Sequence, residues 1–365
     1  MNGSANTLIN ASASNESVST PSSLIALAKK LHRPGLLIDP EKITEAEFKR
    51  EHDDFFVEED LQTHFTDQGE HVYLLIESTG LNSDDVIKSL ASFANLSRRA
   101  IGYSGLKDKR ARTRQWFSLH LPGRGFLNWS ELPALKTDHQ DDDNKALTYN
   151  SSLTVLKSIR HIKKLRRGQH HGNFFDLRLN AVKGDHQSIA ARLDALAHGI
   201  PNYFGPQRFG SQGKNLLKAH SLDQIHSKRL RGLYLSAARS FLFNQILHQG
   251  IESFGWPACL AADQQQMQSA WLFGHQQKKH QNVTQNQLLD ELADAVVARF
   301  ENLSAQILTT DIKQARRPIV LKPEKLQYQW QTEAQLRLQF YLPTGTYATE
   351  VLANIFNQLT QKQDE

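Results

Sequence analysis

Three stretches of the chain alternate apolar and polar residues with the two-residue period of a half-buried strand. Phe117, Leu119 and Leu121 alternate with Ser118 and His120. Phe175, Leu177, Leu179 and Ala181 alternate with Asp176, Arg178 and Asn180, and Leu336, Leu338, Phe340 and Leu342 with Arg337, Gln339 and Tyr341. A fourth stretch, His71-Val72-Tyr73-Leu74-Leu75-Ile76-Glu77, is nearly all apolar between Gly69 and Gly80 and reads as a buried strand. Elsewhere the period is helical. Val86, Ile87, Leu90 and Ala94 follow Ser83 and Asp84, good residues for a helix start, and Ile189, Leu193, Leu196 and Ala197 form a face that ends near Gly199 and Pro201. A largely helical region then runs from about Leu216 to Gln314, and Leu352, Ile355, Phe356 and Leu359 supply a last helical stripe. Sheet signals thus lie at both ends, which predicts a mixed α+β domain interrupted by an inserted second domain.

Bulk composition agrees. At 365 residues the chain exceeds the size at which one core keeps growing, so two domains are expected. Hydrophobic residues are 39% of it, yet no apolar run approaches the ~20 residues of a membrane span, so no membrane partner is expected. Cys259 is the only cysteine, which excludes an internal disulfide and a thiolate zinc cage and fits a reducing cytoplasm. The 16 histidines form no ligand pattern, so no metal is expected. Met1 to Ser23 is rich in Ser, Asn, Thr and Ala and has neither Lys, Arg nor a sustained apolar core. That is not a secretory signal, and a disordered tail over residues 1–33 is expected. Asp138 to Asn144, with four Asp and no apolar residue, and the Gln-rich segment 264–287 with His275 and His280 read as solvated excursions.

Charge changes the picture where it clusters. Net charge is only +5, but Lys157, Arg160, His161, Lys163, Lys164, Arg166, Arg167, His170 and His171 crowd together just before Gly172-Asn173-Phe174-Phe175. Such a run is either a solvated face or a phosphate-tracking stripe, and an aromatic beside its end suits a stacked nucleotide base. A second cluster sets one carboxylate, Asp108, among Lys107, Lys109, Arg110, Arg112 and Arg114, on the loop entering the strand at Phe117. Nearby cations hold such an acid ionised. Asp108 is then either a nucleophile or base, or a surface acid paired with its neighbours. No glycine-rich nucleotide loop, HExxH helix or paired-cysteine element accompanies it, so neither a nucleotide nor another cofactor is expected.

The string Gly105-Leu106-Lys107-Asp108-Lys109-Arg110-Ala111-Arg112-Thr113-Arg114-Gln115-Trp116 resembles the signature of the tRNA pseudouridine synthase D (TruD) family. Other pieces resemble that family in the same order: Asp54-Phe55-Phe56-Val57-Glu58-Glu59, Gly172-Asn173-Phe174-Phe175, Pro201 to Gly210, Leu235 to Gln245, and Leu342 to Thr349. The Leu-Pro-Gly element usual in the family's inserted domain is not found. The resemblance implies an α+β, mixed or antiparallel-sheet pseudouridine synthase domain over 34–198 and 319–365, with a largely helical α+β TRUD domain inserted at 199–318. It implies isomerisation of a uridine, at position 13 of tRNA, in the cytoplasm, with tRNA as the partner. Asp108 would attack C1′ or abstract the C2′ proton. Phe175 would stack on the flipped uracil, Asn173 would orient the reacting group, Phe55 would close the other side of the pocket, and Lys49 would keep Asp108 ionised. Tyr347, where the family commonly has Phe, would line the pocket. Lys107, Lys163, Lys164, Arg166, Arg167 and Arg208 would grip the RNA backbone. The residues taken alone also admit bland readings: Phe175 and Phe55 as strand packing, Asn173 as a turn residue, Lys49 as a solvated lysine. A rival function stays open, a non-catalytic tRNA-binding or RNA-folding protein that uses the same basic cleft. Oligomeric state is not legible.

Overall fold

The computed structural model describes residues 43–133, 137–140, 146–149, 151–256, 269–275 and 287–361. The expected N-terminal tail, Cys259, His280 and most of the acidic and Gln-rich excursions lie outside the described residues. Among them the chain divides into two compact units, one from the stretches 34–200 and 321–365 and the other from 201–320.

The first unit is built on one large sheet. Its strands are β1 (Glu45–Glu47), β2 (Phe55–Asp60), β3 (His71–Thr79), β4 (Ile101–Tyr103), β5 (Arg112–His120), β6 (Ser152–His161), β7 (Gly172–Lys183), β8 (Glu324–Thr332), β9 (Gln335–Pro343) and β10 (Gln358–Thr360). They run in the order β8-β9-β7-β2-β5-β3-β6, with β4 on β5 and β1 between β7 and β10. Most neighbours are antiparallel, but β2 and β5 are parallel, with Phe56 opposite Arg112. β1 and β10 are also parallel, but it is the β2–β5 pairing that brings the turn before β2 and the loop before β5 to the same end of the sheet.

Two apolar clusters share one face. Val72, Leu74, Ile76, Phe117 and Leu119 pack under the helix Ser83–Phe93. Phe55, Val57, Phe175, Leu177, Leu338 and Phe340 pack with Ile189 and Leu193 of the helix His186–Ala195 and with Val351 and Leu352 of the helix Ala348–Ala353. The first helix starts at Asn82, whose side chain accepts from the amides of Asp84 and Asp85. The other face carries Tyr73, Leu75, Trp116 and Leu165.

The structure departs from the periodicity in three places. The last helical stripe is a helix only over Ala348–Ala353, and Leu359 lies in β10. β6 and β8 escape the pattern because they are the two outer strands of the path, exposed and polar enough to lack a clean apolar face. The second unit is largely helical as expected among the described residues, with helices Lys228–Phe254, Gln287–Arg299 and Glu301–Leu308, but the periodicity did not show the short antiparallel ribbon in which Ser269–Leu272 pairs with Ala315–Pro318. Its two ends are joined within that unit: the Asn202 amide donates to the Ile319 carbonyl at 2.7 Å, and Asn202 Nδ2 to that of Pro318 at 2.9 Å.

Candidate active site

Between the two apolar clusters, the positions of β3 and β5 that would continue the core are polar: Ser78, Thr113 and Gln115, all buried. Buried polar groups have to be paired, and these are. Ser78 Oγ and Thr113 Oγ1 lie 3.1 Å apart. Gln115 Oε1 accepts from Ser83 Oγ at 2.7 Å, and its Nε2 donates to the Gly105 carbonyl at 2.8 Å. Ser83 Oγ also accepts from the Lys107 amide at 2.8 Å. The Gln of the signature string, together with Ser83, thus clamps the loop that carries Asp108 onto the sheet, while the Thr ties β5 to β3.

Asp108 Oδ2 accepts from Lys49 Nζ, and Oδ1 accepts from the Arg110 amide at 3.1 Å. The carboxylate side chain is 53% exposed, whereas the Lys49 side chain is 6% exposed. Partial burial of Asp108 pushes its carboxyl upward. The Lys49 ammonium, the Arg110 amide and the Arg110 charge outweigh that and hold it below the usual carboxylate range. Lys49 is no solvated lysine. Its backbone is left-handed (φ 57°), a costly conformation for a side chain of this kind, and its Nζ sits 4.4 Å from the centre of the Phe55 ring. The turn from Lys49 to Phe55 is pinned by buried Asp54, whose Oδ2 accepts from the Glu51 amide at 3.0 Å and from Asn180 Nδ2 at 2.9 Å.

Asn173 lies inside β7, not in a turn. The glycine before it is required by space: a Cβ on Gly172 would stand 2.3 Å from the Leu342 carbonyl oxygen and 2.4 Å from the Tyr341 ring. Lys107, expected on the phosphate-gripping surface, is instead buried, with its side chain 7% exposed and its Nζ 3.1 Å from Glu59 Oε2 and 2.6 Å from Asn173 Oδ1. Glu59 is the residue that sequence reasoning passed over, since nothing local distinguishes it from Glu58. His170 belongs to the basic run in sequence but not to its exposed surface. It is buried, its Nδ1 is 2.6 Å from Ser104 Oγ, and burial holds its imidazole below the usual range.

Phe175 is 7% exposed, edge-on to Phe55 with ring centres 6.1 Å apart and stacked on Phe340 at 5.3 Å. Its neighbour Phe174 faces the other way and is exposed. Tyr347 is half-buried at the start of the helix Ala348–Ala353. Of the basic run, Lys163 and Arg166 are exposed. Lys164 Nζ is engaged with the Arg99 carbonyl, and Arg167 stacks 3.8 Å from the centre of the Tyr103 ring. Arg208 belongs to the other unit, where it donates to Ser236 Oγ at 3.1 Å. A hollow of about 920 Å³ opens on the opposite face of the sheet, lined by Phe56, Glu58, Asp60, Phe174, Asp176 and Glu324 among others. Its carboxylates suit neither phosphate nor a polyanion.

An ionised carboxylate thus stands on a clamped loop of a mixed sheet, backed by a buried lysine and by aromatic rings. The sequence model of tRNA pseudouridine synthase D (TruD) matches residues 36–221 and 257–355, and the chain belongs to that family. It is 34% identical over 323 residues to the tRNA pseudouridine synthase D of Cellvibrio japonicus, covering 87% of this chain and 91% of that one. It is 36% identical over 306 residues to that of Marinobacter nauticus, covering 79% and 81%. A crystal structure of a TruD protein from Methanosarcina mazei superposes with a TM-score of 0.59 over 91% of this chain and 98% of the other, at 16% identity, which shows the shared α+β fold. Among the described residues no helix is long and apolar enough to cross a membrane.

Proposed function

We infer that this chain is a tRNA pseudouridine synthase that isomerises a uridine of tRNA, position 13 by family resemblance, and that it works in the cytoplasm. The observation that carries the chemistry is the pairing of half-exposed Asp108 with buried Lys49 beside Phe55. The reaction breaks the bond from C1′ to N1, turns the uracil and joins C5 to C1′, while N1 gains a proton and C5 loses one. A stacked base is inaccessible to this, so the uridine is flipped out. Asp108 acts as an anion, either on C1′ or on the C2′ proton, and both routes need the unprotonated carboxylate. Lys49 keeps it so. Phe55 and Phe175 wall the pocket, Tyr347 lines it, and Asn173 holds the reacting nucleoside through its amide. Incubating the purified protein with unmodified tRNA, without added metal or nucleotide, yields carbodiimide-reactive pseudouridine. Absence of product on every tRNA tested would leave the reading of a non-catalytic tRNA-binding protein.

Two further results are expected. Lys49→Met removes the cation that offsets the upward push of burial on Asp108, so the acidic limb of the kcat profile moves to higher pH. In the wild type the carboxylate is ionised at and above the ordinary carboxylate range, and activity is lost only as pH falls through its lowered value. An unmoved limb would detach Lys49 from the ionisation of Asp108. For RNA grip, the side chains to change are Lys163 and Arg166, because Lys164 and Arg167 already hold Arg99 and Tyr103. Lys163→Gln with Arg166→Gln should flatten the slope of log affinity against log salt by about 0.7–0.9 per lost phosphate contact, alike for cognate and non-cognate tRNA. A filter-binding series at rising salt checks this, and an unchanged slope makes the pair a solvated face.

A further inference from the structure

The most deeply buried charge near Asp108 has no step in the reaction as described above. The Glu59 side chain is 0% exposed, and its Oε2 lies 3.1 Å from Lys107 Nζ. The Trp116 amide donates to Oε1 at 3.3 Å and Gln115 Nε2 to Oε2 at 3.5 Å, so the carboxylate is fixed from three sides. Lys107 Nζ in turn donates to Asn173 Oδ1 at 2.6 Å. An ammonium has only donors. The oxygen of the Asn173 amide therefore faces Lys107, and Nδ2, turned away from it, has no hydrogen-bond partner among the described residues. Asn173 shares a face of β7 with Phe175, and Lys107 is the residue before Asp108. Stability does not call for such a pair, since apolar residues of similar volume serve a buried site as well or better.

We propose that Glu59 and Lys107 are a positioning pair that orients the Asn173 amide, so that its two N–H donors meet an oxygen acceptor of the flipped uridine at a fixed distance from Asp108. The inference rests on the pseudouridine synthase reading. Lys107 thereby serves two ends: its side chain sets the amide, and its backbone amide, held by Ser83 Oγ, sets the loop. Neither residue need touch the substrate.

The test compares charge-free pairs on full-length protein with an unmodified tRNA transcript, reading melting temperature, kcat and KM together. Glu59→Leu with Lys107→Met leaves no unpaired charge, so the fold is expected to hold although the Trp116 amide loses an acceptor, and Asn173 loses its anchor. A group misplaced by about 1 Å costs on the order of 100-fold in rate, so kcat should fall by about that factor. KM should stay within about threefold, as for an interaction made only in the transition state. Glu59→Gln with Lys107→Gln restores a donor opposite Asn173 Oδ1 and should recover about tenfold of the loss. Wild-type kcat in the Leu/Met pair, or a rate loss that follows melting temperature through the whole series, would overturn the proposal. Should the Leu/Met pair not fold, Asn173→Asp decides: it keeps an oxygen for Lys107 but removes the donors, and full turnover there would also overturn it. Failure of the wild type to make pseudouridine is a different result, because it removes the reaction itself.

Discussion

Asp108→Asn abolishes pseudouridine formation while leaving the loop in place. The amide oxygen can still accept from one of the two donors that the separate carboxylate oxygens hold, Lys49 Nζ or the Arg110 amide, and the clamp through Gln115 and Ser83 does not involve the side chain at 108. What disappears is the negative charge that either route requires. Removing a residue of this rank typically costs more than about 10⁴-fold in kcat. Affinity for tRNA should stay level or rise, because a negative charge near phosphate is lost. Single-turnover assays with excess enzyme, run beside a binding titration, separate the two quantities. Product above a few per cent of the wild-type yield, or affinity lost in step with rate, would remove Asp108 from the chemistry.

Phe175→Ala gives the largest expected loss of stability. The ring is buried between Phe55 and Phe340, so truncation opens a cavity in the larger apolar cluster and should cost ~3–5 kcal/mol. Phe175→Leu fills most of that space and should cost under ~1.5 kcal/mol. Turnover then separates packing from recognition. If the ring also forms a wall for the uracil, the Leu variant melts near wild type but turns over slowly, since stacking of a base is worth ~1–3 kcal/mol. Thermal melts with rates on both variants check this, and a Leu variant with normal turnover would leave Phe175 to the core alone.

Strands β5, β7 and β9 were legible because their alternation is local and strong, and the helix from Ser83 because its starting residues are. The site was legible only as far as its strings reach. The loop around Asp108 could be read as charged and set before a strand, since both features lie within a dozen or so residues. Which lysine would face solvent and which would be buried could not. Lys107 and Lys49 are both buried, against what local charge suggests, because β2 and β5 pair in parallel, and that register joins residues some 50 positions apart. Glu59 was invisible for the same reason: its burial is decided by Lys107, Gln115 and Trp116, none of them near it in sequence. The basic run was legible as charge. Its division into free and engaged cations depends on Arg99 and Tyr103, which no composition reveals.

Strand β9 lies between β7 and β8, yet the whole second unit separates it from β7 along the chain. During synthesis this order imposes a wait. A ribosome adding about 5–20 residues per second needs roughly 10–30 s to pass from the end of β7 to the end of β9. Throughout that interval Phe175, Leu177 and Leu179 are already made while the strand that covers their open edge is not. The nascent chain therefore carries a sticky, half-finished sheet past the point at which the second unit can fold on its own ends, and it is in this window that a holding chaperone has the most to protect.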